Sequence, residues 1–196
     1  MNKDISARST SEEAAILETA LEVGALLYGE FTLASGMKSS FYFDGRLLTL
    51  SPKGAHQVSR ALLPMDRASG ADAIGGPTSG ADPIVAGVSL LSYEDGGKTI
   101  PGFFVRPTIK DHGTGKLIEG PLPKNGKVAI VDDTCSTAGS LFQAIDAVES
   151  VGCEVVTVIA ILDRNQGGGE KLRKSGYVFR ALLEADQDGR IMVKEA

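Results

Sequence analysis

The segment Val128-Ala-Ile-Val-Asp-Asp-Thr-Cys-Ser-Thr-Ala-Gly-Ser140 constrains the fold more than any other. Its opening apolar run, with Lys127 ahead of it, is too short for a buried helix and shows no polar alternation. That pattern suits a parallel strand covered on both faces. Val155 to Leu162 repeats it. Between the two, Ser140 to Val151 has helical character, so a strand-helix-strand unit is expected, with helices packed above and below the sheet.

The same rhythm runs back to Asp72. Ala73-Ile74 reads as a strand ending in the loop Gly75-Gly-Pro-Thr-Ser-Gly80, followed by a helix from about Asp82 to Leu91 and a strand at Phe103-Phe-Val105. Arg106 to Glu119 has neither period. Towards the end a short helix is expected within Gly167 to Ser175 and a strand at Tyr177 to Leu183. The fold class is therefore α/β, a parallel sheet flanked by helices.

The first fifty residues do not follow that alternation. Thr10-Ser-Glu-Glu13 reads as a capping box opening a helix to about Tyr28. Phe31-Thr-Leu33 and Phe41-Tyr-Phe-Asp44 read as short strands, and Pro52 starts a helix to about Met65. Residues 1–50 are expected to form a small hood, and 51–196 the core, with the C-terminal residues able to join the hood, all in one structural unit.

A net charge of −5 excludes a general nucleic-acid footprint. Cys135 and Cys153 fit neither a disulfide framework nor a zinc pattern. Met1 to Thr10 lacks an apolar signal core, and no apolar run approaches a membrane span. A cytoplasmic protein without a membrane partner is expected.

The chemistry of the Val128 to Ser140 segment follows from its order. A buried strand delivers Asp132 and Asp133 at its carboxyl end, where open α/β sheets bind ligands. Thr134, Cys135, Ser136, Thr137, Ala138, Gly139 and Ser140 then lead into a helix whose first N–H groups favour an anion. Small residues let the backbone close on a phosphate, whereas paired carboxylates repel one and suit vicinal sugar hydroxyls. The acids thus face a ribose and the loop its 5′-phosphate. A nucleotide P-loop needs a lysine that is missing here, and the dinucleotide glycine pattern is also absent.

Arg106-Pro-Thr-Ile-Lys-Asp-His-Gly-Thr-Gly-Lys116 gathers cations, an acid and a histidine on a glycine-bearing loop. Such a loop can close over a pyrophosphate and exclude water. Arg164, in Leu162-Asp-Arg-Asn165, reads locally as an ion-pair partner for Asp163. Tyr42 and Phe43 read equally as core or as walls of a base site.

Val128 to Ser140 resembles the phosphoribosyl-pyrophosphate motif of type I phosphoribosyltransferases. The 106–116 loop, Phe31 to Gly45 and Leu162 to Asn165 are similar to segments of orotate phosphoribosyltransferases, so the resemblance spans Phe31 to Asn165. It implies transfer of a phosphoribosyl group from phosphoribosyl pyrophosphate to orotate, giving orotidine 5′-phosphate and pyrophosphate in pyrimidine biosynthesis. It implies that Asp132 and Asp133 bind the ribose hydroxyls and Thr134 to Ser140 the 5′-phosphate. Arg106, Lys110 and His112, with Thr78, Ser79 and Gly80, would hold the pyrophosphate, and Asp111 would assist proton transfer. Lys110, Asp111 and His112 are the implied catalytic set. Ser136, Arg164, Tyr42 and Phe43 would hold orotate. Mg²⁺ would be bound mainly through substrate oxygens, with no direct protein cage. A homodimer is implied, its 106–116 loop shared between subunits. A transferase for another base, or a regulator that only senses the donor, shares the same motif.

Three positions where many members of the family carry lysine hold Ala34, Gly80 and Pro107 instead. Lys38, Lys110 and Lys116 are the candidates to compensate.

Overall fold

The structure is a computed structural model, and it describes residues 3–32, 36, 38–108 and 116–193. The first helix, α1, runs Lys3–Glu22. It begins upstream of the expected capping box, so Thr10 lies inside it. It also stops well before Tyr28. Gly24 adopts φ +70, a left-handed turn that ends the helix, and β1 (Leu26–Thr32) follows almost at once.

β1 pairs antiparallel with β2 (Lys38–Phe43) in a separate two-stranded sheet. A short helix α2 (Gly45–Thr49), not expected from the pattern, is capped by the Asp44 carboxylate. α3 (Pro52–Ser69) opens on Ser51, whose hydroxyl accepts from Gly54 N–H, with Pro52 in its first turn.

The core follows as β3 (Ala73–Pro77), α4 (Asp82–Glu94), β4 (Gly102–Val105), β5 (Ile118–Glu119), β6 (Lys127–Cys135), α5 (Gly139–Ser150), β7 (Glu154–Asp163), α6 (Gly168–Lys174), β8 (Phe179–Ala185) and β9 (Ile191–Val193). The sheet has seven strands in the order β5-β4-β3-β6-β7-β8-β9. β4, β3, β6, β7 and β8 are parallel, and short antiparallel strands close both edges. This is the expected α/β class. The edge strands β5 and β9 are too short to leave a periodic signal.

Two apolar clusters cover the sheet. One joins Ile16, Leu62, Ile84 and Val88 of α1, α3 and α4 to Ile74, Val131 and Ile159. The other joins Leu141, Ile145 and Leu172 of α5 and α6 to Val128, Ile130 and Val158. Alternate residues of β6 therefore feed opposite clusters. This is why its sequence is apolar without interruption.

Strand order places the site. The chain leaves β3 for β4 on one side and leaves β6 for β7 on the other. The carboxyl ends of β3 and β6 thus flank a topological switch point, the crevice where open sheets bind ligands. Gly76 permits the approach, because a Cβ there would run into the Val131 carbonyl.

The β1-β2 sheet is tied to the strand-turn region near the end of the chain. Ser40 Oγ donates to the Asp188 carbonyl (3.2 Å), and Ile191 N–H donates to the Tyr28 hydroxyl (3.1 Å).

Candidate active site

At the switch point lies a cleft of about 320 Å³, walled by Thr78, Ser79 and Gly80 after β3, Asp132, Asp133 and Thr134 on β6, and Ser140 on α5. Tyr42 and Phe43 at the end of β2 and Asp44 and Arg46 at the start of α2 close it from the other side. The loop after β3 and the acids of β6 are thus neighbours, although the sequence separates them widely.

β6 continues through both acids to Cys135, further than its apolar run suggests. Asp132 is buried. Ser140 Oγ donates to its Oδ2 at 3.0 Å, and Asp133 N–H donates to its Oδ1 at 2.9 Å. The Thr134 hydroxyl donates to Asp133 Oδ1 at 3.2 Å. Burial raises both carboxyls above the ordinary range, and the adjacent charge of Asp133 raises Asp132 further. Such a pair gains from hydroxyl donors or a divalent cation, either of which stabilises the ionised form.

Two glycines grip Asp133. A Cβ on Gly45 would stand 2.5 Å from the Asp133 Cβ and 2.8 Å from Oδ2. One on Gly80 would stand 2.7 Å from Oδ1 of both Asp132 and Asp133. The turn between β2 and α2 and the loop after β3 therefore close on the same carboxylate.

The loop Thr134 to Ser140 crosses from β6 to α5. Ala138 caps α5 in the left-handed region (φ +63), a conformation alanine adopts at a cost. The side chains of Thr137 and Ser140 are exposed and that of Ser136 half-buried. Cys135 points into the core, and burial pushes its thiol up to about 12, so it offers only its backbone. That carbonyl accepts from Arg164 N–H, and the Ser136 carbonyl accepts from Gly168 N–H, both at 2.9 Å.

Arg164 is not paired with Asp163 among the described residues. The Asp163 carboxylate instead accepts from Asn165 N–H, and the Arg164 guanidinium lies 4.6 Å over the Phe41 ring, with Nη2 3.4 Å from Ser39 Oγ. Arg164 lines a second groove of about 650 Å³ with Lys38, Ser39 and Phe41, whereas Tyr42 and Phe43 face the first cleft. Tyr42 is 40% exposed and Phe43 is buried, as neighbours on a strand alternate, yet both border the first cleft and stand apart from Arg164, and Ser136 is among the lining residues of neither cavity. Lys38 belongs to the second groove and donates to Thr32 Oγ1.

Arg106 stands 3.5 Å from Glu119, across the β4-β5 edge. Lys110, Asp111, His112 and Ala34 lie outside the described residues. Pro107 and Lys116 are described, and Lys116 is exposed. Sequence reasoning missed Asp44 and Arg46. The Asp-Gly-Arg turn directly after the aromatic strand was the available signal.

The family described as phosphoribosyl transferase domain matches residues 70–182, and together with the sheet and its cleft it defines the class as phosphoribosyltransferase. The orotate phosphoribosyltransferase of Rhodopirellula baltica is 40% identical over 184 residues, covering 91% of this chain and 95% of the relative. The crystal structure of Mycobacterium tuberculosis orotate phosphoribosyltransferase superposes with a TM-score of 0.76 at 31% identity, covering 88% of this chain and 96% of that one. A second structure of that enzyme, in complex with 5-phospho-alpha-D-ribosyl 1-diphosphate, has a TM-score of 0.73 at 29% identity and covers 88% and 96%. The chain belongs to the orotate phosphoribosyltransferase family.

Among the described residues, no helix is long and apolar enough to cross a membrane, and no group of three acidic, histidine or cysteine side chains could hold a metal.

Proposed function

We infer that the protein transfers the 5-phosphoribosyl group from phosphoribosyl pyrophosphate to orotate, giving orotidine 5′-phosphate and pyrophosphate in pyrimidine biosynthesis. The observation that carries this is the meeting of Asp132 and Asp133 with the Thr78 to Gly80 loop at the sheet's switch point, directly ahead of the anion cradle Thr134 to Ser140. Family membership supplies the base, and the donor-bound Mycobacterium tuberculosis relative supports the choice of donor.

In this reading Asp132 and Asp133 accept hydrogen bonds from the ribose hydroxyls. Backbone N–H groups and hydroxyls from Thr134 to Ser140 hold the 5′-phosphate. The bond from ribose C1 to the pyrophosphate oxygen breaks as a bond forms to a ring nitrogen of orotate. Positive charge grows on the sugar between these events, and the buried acids lie on the ribose side to stabilise it. Thr78, Ser79 and Gly80 face the departing pyrophosphate. Arg106, Lys110 and His112 close over it on the loop, and Asp111 moves the proton. Arg164, Ser136, Tyr42 and Phe43 hold the base, Arg164 through a guanidinium suited to a carboxylate or carbonyl edge.

Mg²⁺ fits this site as a substrate-borne ion. The raised, adjacent carboxyls welcome a cation, and in this reading the ion is carried mainly on substrate oxygens. When bound it supplies neutralisation of the departing pyrophosphate charge. We also read residues 1–50 as the hood and 51–196 as the core, the enzyme as cytoplasmic, and the assembly as a homodimer that exchanges the 106–116 loop.

The test is consumption of orotate, followed by its ultraviolet absorbance, by purified protein with phosphoribosyl pyrophosphate and Mg²⁺. Turnover of another base but not orotate overturns the acceptor. Donor binding without turnover of any base favours a sensor. Asp111→Asn with Lys110→Ala should abolish most turnover. Unchanged rates would remove the loop from catalysis.

A further inference from the structure

The cleft carries three carboxylates, Asp44, Asp132 and Asp133, and among its described lining residues a single cation, Arg46. A pyrophosphate entering such a cleft needs positive donors. The loop after β3 supplies none at position 80, which holds glycine. With the acids where they stand, a Cβ there would lie 2.7 Å from both Asp132 Oδ1 and Asp133 Oδ1, so the two carboxylates occupy the space a longer side chain would take.

The hood supplies a cation at the same place. Gly45 packs against Asp133 from the Oδ2 side while Gly80 packs from the Oδ1 side, so the residue after Gly45 emerges beside the Thr78 to Gly80 loop. Arg46 is held there in a fork, with Nε 2.9 Å from Asp44 Oδ1 and Nη2 3.0 Å from Asp44 Oδ2. Its Nη1 bonds to no described residue, and its side chain is 52% exposed. An arginine anchored through one edge keeps its other edge for a phosphate, with less orientational freedom left to lose.

We propose that Arg46 binds the pyrophosphate group of the phosphoribosyl donor, with Asp44 as the residue that positions its guanidinium, and so supplies from the turn after β2 a cation that the loop after β3 lacks at Gly80. This assignment rests on the donor named in the proposed function. The backbone cap of α2 uses Arg46 N–H and not its side chain, so substitutions of the side chain leave that cap in place.

The test compares the parent enzyme with Arg46→Gln and Arg46→Lys, each first checked for an unchanged melting temperature. Loss of one charge-assisted contact should raise KM for phosphoribosyl pyrophosphate about tenfold or more in Arg46→Gln, with KM for orotate moving less than about twofold. Arg46→Lys should fall between. Calorimetric binding of inorganic pyrophosphate with Mg²⁺ should weaken in parallel, while ribose 5-phosphate, which lacks that group, should bind as before. Unchanged pyrophosphate binding overturns the proposal, as does a loss confined to orotate or to ribose 5-phosphate. The calorimetric arm needs no base. A parent enzyme that ignores orotate therefore defeats the functional reading without touching this one, and one that binds no pyrophosphate defeats this one. Asp44→Asn gives a second readout: it should weaken pyrophosphate binding less than Arg46→Gln, and an equal or larger loss would show Asp44, not Arg46, to be the group that matters.

Discussion

Ser140 donates its hydroxyl hydrogen to Asp132 at 3.0 Å, joining the first turn of α5 to the buried acid of β6. This bond opposes the burial and the Asp133 charge that raise the Asp132 carboxyl. Ser140→Ala removes the donor, so Asp132 will ionise at a still higher pH. In the proposed function the ionised form accepts the sugar hydroxyls, so the acidic limb of the kcat/KM profile for phosphoribosyl pyrophosphate should move to higher pH. Activity at neutral pH should drop about tenfold, consistent with losing a hydrogen bond to a charged group. A limb that stays put or moves to lower pH would contradict the coupling.

Gly45 and Gly80 leave no room for a side chain against the acid pair. Gly45→Ala and Gly80→Ala should each cost about 1–3 kcal/mol of stability from overpacking. Gly80→Ala should also weaken donor binding, because Asp132 and Asp133 must both move. Denaturant unfolding and donor KM check this, and an unchanged donor KM in Gly80→Ala would refute it.

Asp66 is fully buried on α3, and neither of its carboxyl oxygens has a hydrogen-bond partner in the structure described. Burial pushes it up to about 7, against smaller opposing pulls from Lys98 and Arg67. In the unfolded chain the same group ionises near pH 4. Between these values the folded state holds the extra proton, so stability contributed here falls as pH rises from about 4 to about 7 and stays low above that. Asp66→Asn removes the ionisation at nearly constant shape. Its melting temperature should gain on the parent progressively from pH 5 to pH 8. A gap that is constant or shrinks with pH would show that Asp66 is not buried as a neutral acid.

Arg164 lies over Phe41 and reaches Ser39, both on β2 of the hood. Arg164→Lys keeps the charge and loses the planar fork, so KM for orotate should rise about tenfold with little change for phosphoribosyl pyrophosphate. Phe41→Leu removes the ring face and should raise it about two- to fivefold, in keeping with a cation–π contact of about 1 kcal/mol. Equal effects on both substrates would point to general disruption of the hood.

The strand-helix alternation from Asp72 onward was legible because each element is long enough to show its period, and β6 and β7 announce burial on both faces. The hood was less so. The Thr10 to Glu13 capping pattern lies within a helix that starts at Lys3, since a polar Ser/Thr/Glu run is compatible with either a helix start or its interior. The three-residue β9 and two-residue β5 exist through pairing with β8 and β4, a condition no local pattern records. For the base site, Ser136, Arg164, Tyr42 and Phe43 were assembled by resemblance, whereas in the structure the aromatic pair borders the first cleft and Arg164, leaving β7, stacks on Phe41 in the second groove.

By itself the sequence determined the layered α/β class and the local order of one stretch, Val128 to Ser140, because strand, acids, hydroxyls and helix start are consecutive and need only local backbone geometry to form the cradle proposed for a sugar phosphate. Only the tertiary structure decided which distant groups face that cradle. Gly80 meets the acids through the neighbouring strand β3, Gly45 and Arg46 through the hood, and Arg164 turns towards Phe41 instead of its neighbour Asp163. These encounters depend on strand order and on close approach at two glycines, and neither is written in the period of any single element.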